Sequence, residues 1–279
     1  MKKLFLGALL IASYAVHAQI TTPQPSPTAK LEQTIGLTDV TLEYSRPSMR
    51  GRTIFGDLIP YGKVWRTGAN ANTKITFSDD VMIGGNALKK GTYAIYTKPG
   101  AEAWEVIFYS DASNWGTPRN WDDSKVVASV QATVEPIPFN VETFAMDFGN
   151  FTNNGADLEI IWEKTYVKVP IEVPTKEKAM ASIERTMNGP SANDYFSAAV
   201  FYLQEGQDLN KAKEWIDKAV SMNKEAFWMQ RQQSLIYAKL GDKKGAIEAA
   251  KKSLKLAEKA GNADYVKLNK DSLKEWGAL

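Results

Sequence analysis

Residues 143–163, TFAMDFGNFTNNGADLEIIWE, contain two runs in which apolar and polar side chains alternate. The apolar members are Phe144, Met146 and Phe148 in the first run and Leu158, Ile160 and Trp162 in the second. Alternation with a period of two is typical of a strand that buries one face. Asn154-Gly155, between the two runs, is a turn signal. The segment therefore predicts two strands joined by a tight turn.

The same pattern extends towards both ends of residues 31–174. Further alternating or doubly apolar runs lie at residues 40–44, 75–77, 92–97 and 104–109, with turn signals at Gly84-Gly85, Lys90-Gly91 and Pro99-Gly100. Several short strands without a long helix between them predict an antiparallel β-sandwich or a jelly-roll-like domain over residues 31–174.

After Pro174 the apolar spacing becomes helical, and only one of the twelve prolines lies beyond it. Ser191, Asp208 and Asp242 stand where helix N-caps are expected. Asp208, Ala212 and Lys218 recur 34 residues later as Asp242, Ala246 and Lys252. This period resembles that of the tetratricopeptide repeat. We expect an all-α helical-repeat domain over residues 175–279, and hence an α+β fold whose β and α parts are segregated along the chain.

The first thirty residues predict export. Residues 1–18 combine Lys2 and Lys3 with an uncharged apolar stretch and small residues at Val16 and Ala18, which is the pattern of a signal peptide cleaved near Ala18. Residues 19–30 are rich in proline and predict a linker. We therefore expect a periplasmic or secreted protein with no membrane span in its mature chain.

Composition narrows the possible chemistry. The chain has 279 residues, no cysteine and one histidine, and that histidine, His17, lies in the predicted signal peptide. Thiol nucleophiles and cysteine-based metal sites are excluded. We predict no metal site, no cofactor and no catalytic residue. The mature chain would carry no net charge, so we expect no nucleic-acid partner.

The stretch from Tyr44 to Ser78 carries a family resemblance. Its distinctive pieces are Tyr44-Ser45-Arg46-Pro47, Ile54-Phe55-Gly56, Pro60-Tyr61-Gly62, Val64-Trp65-Arg66 and Gly68-Ala69-Asn70. Together with later matches up to Trp162, they resemble the bacterial family called domain of unknown function 2911, over residues 35–173. A glutamate is expected after the Gly-Ala-Asn triplet, and this chain has Ala71 there. The resemblance implies no activity.

Basic residues are concentrated between Arg46 and Arg66. This stretch holds five of them and a single acid, Asp57, within a predicted domain that is otherwise acidic. Because guanidinium groups suit carboxylates and phosphates, we expect Arg46, Arg52, Arg66 and Asn70 to line a pocket for a small anionic or glycan ligand. The alternative is that these arginines pair with the domain's own carboxylates and hold long loops in place.

Two tryptophans, Trp115 and Trp121, lie in the polar stretch SDASNWGTPRNWDD, residues 110–123. Loops carry many binding residues, so these rings are candidates to stack on a sugar or a peptide. The alternative is that the loop folds back and buries them. Trp104 and Trp162 lie on strand patterns and are expected in the core.

Three functional hypotheses follow. The first is a non-catalytic binding or scaffold protein of the envelope, with a possible protein partner held by the helical repeat. The second is a carbohydrate-active hydrolase that uses a pair of aspartates. The candidates are Asp57, Asp79, Asp80, Asp111, Asp122 and Asp123. In the third hypothesis, the helices only cap the sandwich and bind nothing. An exposed apolar groove along Phe196, Tyr202, Trp228 and Tyr237 would count against this hypothesis.

Overall fold

The computed structural model describes residues 22–187 and 189–279, so the predicted signal peptide lies outside the described residues. Strands precede helices along the chain. The strands are β1 (Thr28–Ile35), β2 (Thr38–Ser45), β3 (Thr73–Phe77), β4 (Val81–Ile83), β5 (Asn86–Leu88), β6 (Gly91–Lys98), β7 (Ala103–Tyr109), β8 (Val126–Thr152) and β9 (Gly155–Glu172). The helices are α1 (Thr175–Thr186), α2 (Ala192–Gln204), α3 (Leu209–Met222), α4 (Phe227–Lys239), α5 (Lys243–Lys259) and α6 (Ala263–Glu275). The predicted α+β class is confirmed.

The nine strands form one open, antiparallel sheet in the order β1-β2-β3-β6-β7-β8-β9-β4-β5. The long strand β8 belongs to both halves, because its first part pairs with β7 and its second part pairs with β9. Its pairing with β9 is irregular between Pro136 and Ala145. The two halves meet across the core, where the Tyr44 hydroxyl donates to the Met146 carbonyl oxygen and accepts from the Met146 N–H.

Aromatic side chains fill the core between the two halves. Trp162 is fully buried, and its ring stacks on that of Trp65 with 5.9 Å between centroids. Phe55, Trp104 and Phe144 meet these rings edge to face. Such pairs add to the large apolar area that each ring removes from water. The predicted core positions of Trp104 and Trp162 are confirmed.

The first strand starts earlier than the sequence pattern indicates. Residues 28–30 fall in the predicted linker, yet they pair with residues 43–45 of β2. The last proline before β1 is Pro27, so every residue of β1 has the N–H that a sheet ladder needs.

The helical part begins at Thr175 and consists of antiparallel neighbours that bury a core of their own. Ser191 and Asp194 form the expected capping box at the start of α2. Asp208 and Asp242 cap α3 and α5, as predicted, and these two helices start 34 residues apart.

An exposed apolar groove along four aromatic residues would count against helices that only cap the sheet; of these, Tyr202 is buried, Phe196 and Tyr237 are half-buried, and Trp228 is exposed. Tyr202 is buried against Trp215, and Trp228 packs on Phe227. Among the residues that the structure describes, no helix has both the length and the apolar character needed to cross a bilayer.

Candidate ligand-binding site

The loop between β2 and β3, residues 46–72, contains the predicted arginines, and most of them bind backbone carbonyl groups. Arg46 Nε donates to the Phe144 carbonyl oxygen at 3.1 Å. Arg52 donates to the carbonyl oxygens of Met49 and Ser48 at 2.8 Å and 2.7 Å. These bonds fasten the loop to itself and to β8. Arg46 and Arg52 therefore hold the loop in place, although their expected carboxylate partners are missing.

No arginine forms an ion pair with a carboxylate within residues 22–187 and 189–279; the ion pairs found there use lysine. A carbonyl oxygen satisfies a guanidinium N–H but does not neutralise its charge. The backbone of the loop does contact acids, since Glu142 accepts from the Arg50 N–H and Glu163 accepts from the N–H groups of Ile54 and Phe55.

A second apolar cluster lies on the outer face of β6 and β7, opposite the main core. Tyr96 and Tyr109 form its base, and Trp121 from the loop before β8 covers them at centroid distances of 5.3 Å and 4.7 Å. The Trp121 Nε1–H donates to Asp123 at 2.9 Å. The structure thus packs Trp121 under its own loop, which is the alternative left open by the sequence.

Trp115, in the same loop, is 78% exposed. Its chain neighbour Gly116 has a φ of +79°, and a Cβ placed there would lie 2.7 Å from Arg66 Nη1. The same guanidinium nitrogen donates to the Asn70 carbonyl oxygen at 3.4 Å. The structure therefore brings together three of the six predicted residues. We call Arg66, Asn70, Trp115 and Gly116 the Arg66 corner.

Asn70 and the other predicted arginines make further hydrogen bonds to the backbone. Asn70 Nδ2 donates to the Ser26 carbonyl oxygen, and the Arg46 N–H donates to that of Pro27, so both hold the segment before β1. Arg52 bonds only within its own turn. Five of the cavities in the described residues are lined by none of the predicted site residues. At the Arg66 corner Trp115 is exposed, Arg66 and Asn70 are half-buried, and Gly116 is buried.

Sequence reasoning missed two polar residues beneath the Arg66 corner. Asn72 is 3% exposed and donates through Nδ2 to the Tyr96 hydroxyl at 3.5 Å, while its Oδ1 accepts no hydrogen bond. The Tyr96 hydroxyl donates to the Gly116 carbonyl oxygen at 3.1 Å, and burial raises the Tyr96 pKa. The sequence does offer one signal for Asn72, because this residue follows the Gly68-Ala69-Asn70 triplet by two positions. These bonds fix the backbone that presents Trp115.

Four of the six candidate aspartates have a lowered pKa. Lys178, Lys89 and Lys125 donate to Asp79, Asp80 and Asp111 respectively and lower the pKa of each carboxyl. Hydrogen bonds from Ser124 lower the pKa of Asp122 in the same way. The general acid of a glycosidase needs a raised pKa. In the part of the chain that the structure describes, no three His, Cys, Asp or Glu residues cluster as a metal site would require.

The comparisons with known proteins give one match. The model of the family described as "Protein of unknown function (DUF2911)" matches residues 26–171, which run from just before β1 to the penultimate residue of β9. The curated proteins and the solved structures gave no match. The matched range contains the Arg66 corner and ends before the first helix.

Proposed function

We propose a function for this chain, which belongs to the family described as "Protein of unknown function (DUF2911)", from its candidate site. The protein is an exported, non-catalytic binding protein of the bacterial envelope. Its ligand is a glycan that carries a carboxylate, and the Arg66 corner binds it. The sugar ring stacks on Trp115, while the carboxylate pairs with the Arg66 guanidinium.

One observation carries this proposal: Trp115 is 78% exposed, and its chain neighbour Gly116 lies against the guanidinium group of Arg66, which forms no ion pair within the described residues. An isolated exposed apolar residue is common on protein surfaces. The combination is more specific, because the indole face provides apolar contact and Arg66 provides paired N–H donors for an anionic oxygen group. The bonds from Tyr96 and Asn70 fix this arrangement before any ligand arrives.

Export and partnership are parts of the same proposal. The signal-peptide pattern at residues 1–18 supports a periplasmic or secreted location. The 34-residue spacing of the capped helices supports a tetratricopeptide-like region, which would bind a protein partner. The hydrolase alternative has less support, because four of the six candidate aspartates have lowered pKa values.

Titration of the chain from Gln19 onward with oligogalacturonate and with its methyl ester, followed by tryptophan fluorescence and thermal shift, tests the proposal. We expect the acidic oligosaccharide to raise the melting temperature and to bind at least tenfold more tightly than the ester. Trp115→Ala and Arg66→Gln should each abolish the difference.

Phe139→Ala is the matched control, because Phe139 is an exposed aromatic residue (62%) on β8 outside the Arg66 corner. It should leave binding unchanged. Equal binding of the acid and the ester, or equal losses in Trp115→Ala and Phe139→Ala, would contradict the proposal. Release of reducing sugar in the same titration would favour the hydrolase.

A further inference from the structure

A large cavity lies in the helical region, far along the chain from the Arg66 corner. It is a groove of about 830 Å³, formed by α3, α4, α5 and the turn before α4. Four lysines line it, Lys224, Lys252, Lys255 and Lys259, against two acids, Asp217 and Glu225. We call this cavity the lysine groove.

The two acids of the lysine groove already have partners. Asp217 accepts hydrogen bonds from Lys213, Gln233 and Tyr237, at 2.8 Å, 2.8 Å and 2.7 Å. Glu225 pairs with Lys259 at 3.4 Å at the exposed rim. Lys224, Lys252 and Lys255 form no ion pair within the described part of the chain. The groove therefore carries uncompensated positive charge.

The lysines of α5 lie on one face of the helix. Lys252, Lys255 and Lys259 follow one another at about 4.5 Å and 6 Å along the axis, because each residue of an α-helix rises about 1.5 Å. Acidic residues two positions apart on an extended peptide lie about 6.6 Å apart on the same side. Flexible lysine side chains span the small difference. Leu256 and Val220, also in the lining, offer an apolar contact beside them.

A buried amide in the lysine groove has an unsatisfied acceptor. Gln230 is 5% exposed, and its Nε2 donates to the Lys224 carbonyl oxygen at 2.7 Å. Its Oε1 accepts no hydrogen bond from the described residues. A buried acceptor without a donor is unfavourable, and a ligand N–H that reaches it restores the bond. A peptide brings such N–H groups, whereas an inorganic anion does not.

From these observations we propose that the lysine groove binds an extended acidic peptide segment of a partner protein, with two acidic residues and one apolar residue at alternating positions. The carboxylates pair with Lys252 and Lys255, and the apolar side chain follows them along the groove, beyond Leu256. A nucleic acid fits less well, because the lining has no aromatic side chain on which bases could stack. This site is independent of the Arg66 corner.

Fluorescence anisotropy with a fluorescein-labelled peptide tests the proposal on the chain from Gln19 onward. The probe has glutamate, glutamate and leucine at alternating positions, separated by serine, and its control has glutamine in place of both glutamates. We expect saturable binding of the acidic peptide alone. Lys252→Ala/Lys255→Ala should weaken it roughly threefold to tenfold, since each exposed ion pair contributes modestly.

The matched control is Lys218→Ala/Lys251→Ala, which removes the same charge from α3 and α5 outside the lysine groove. It should change the dissociation constant by less than about twofold, a change within the range of weak surface electrostatics. Equal losses in both double variants would overturn the proposal. So would tighter binding of a single-stranded oligonucleotide than of the acidic peptide through Lys252 and Lys255.

Discussion

Replacing Gly116 with alanine separates the binding role of Arg66 from the stability of the loop. The added Cβ would lie 2.7 Å from Arg66 Nη1, so the guanidinium group must move. That group is the far end of a flexible side chain, and its one described partner is the Asn70 carbonyl oxygen at 3.4 Å. We therefore expect the movement itself to cost little stability. It should nevertheless displace the charge that the proposed ligand requires.

The backbone contribution can be measured at Gly85. Gly85 has a φ of +82°, close to the +79° of Gly116, and no atom lies within 4 Å of its hypothetical Cβ. An alanine in this left-handed region costs roughly 1–2 kcal/mol. For a domain of this size each kcal/mol lowers the melting temperature by about 2–4 °C. We expect Gly85→Ala and Gly116→Ala to lose similar stability.

Binding should then distinguish the two variants. Titration with oligogalacturonate should show at least tenfold weaker binding by Gly116→Ala and unchanged binding by Gly85→Ala, because only the former displaces Arg66. Calorimetry and urea denaturation on the same preparations give both quantities. Normal binding of oligogalacturonate by Gly116→Ala would refute the proposed role of Arg66. A much larger loss of stability in Gly116→Ala than in Gly85→Ala would also refute it, because the position of Arg66 would then be needed for folding.

Three further predictions concern the fold. Trp162→Ala should lose about 3–5 kcal/mol in urea denaturation, because it empties the centre of the aromatic core; a loss below about 1 kcal/mol would contradict this packing. Ser191→Ala should lose about 1 kcal/mol with the capping box, whereas Ser191→Thr should retain most of it. Lys178 lowers the pKa of Asp79 below its ordinary 3.8, so the pair contributes stability above that pH and loses it as pH falls through the folded-state pKa. Urea denaturation at pH 7 and pH 3 should show a smaller acid loss in Lys178→Met than in the unmodified chain; equal losses would argue against this coupling.

Local pattern predicts much of this fold because the informative contacts lie close together in sequence. Phe144, Met146 and Phe148 are all buried, as their alternation predicts. The middle of β8 carries no such signal, since Pro136 and Pro138 interrupt it and its pairing with β9 is irregular there. The strand continues because β7 and β9 flank it and supply partners that no local pattern records.

The sequence predicted which residue types the candidate site contains, but it did not predict their contacts. The concentration of arginines predicts a binding loop, but their partners in the structure are backbone carbonyl oxygens, which every residue carries and which therefore leave no trace in the sequence. Asn72 and Tyr96 are 24 positions apart and meet only because β3 pairs with β6. The Arg66 corner also depends on Gly116, because a Cβ at this position would lie 2.7 Å from Arg66 Nη1.

The opposite charges of the two halves do not by themselves explain how the helices attach to the sheet. The chain from Gln19 to Pro174 has four more acids than bases, and the rest has four more bases than acids. Screening over roughly 10 Å at 0.1 M salt leaves little long-range attraction between such small net charges. The attachment is instead specific: Lys178 donates to Asp79 at 2.7 Å, and Asn154 donates to Glu205 at 2.6 Å. In the second contact the carboxylate belongs to the basic half. The local arrangement of donors and acceptors, which net charge does not describe, therefore determines where the helices attach.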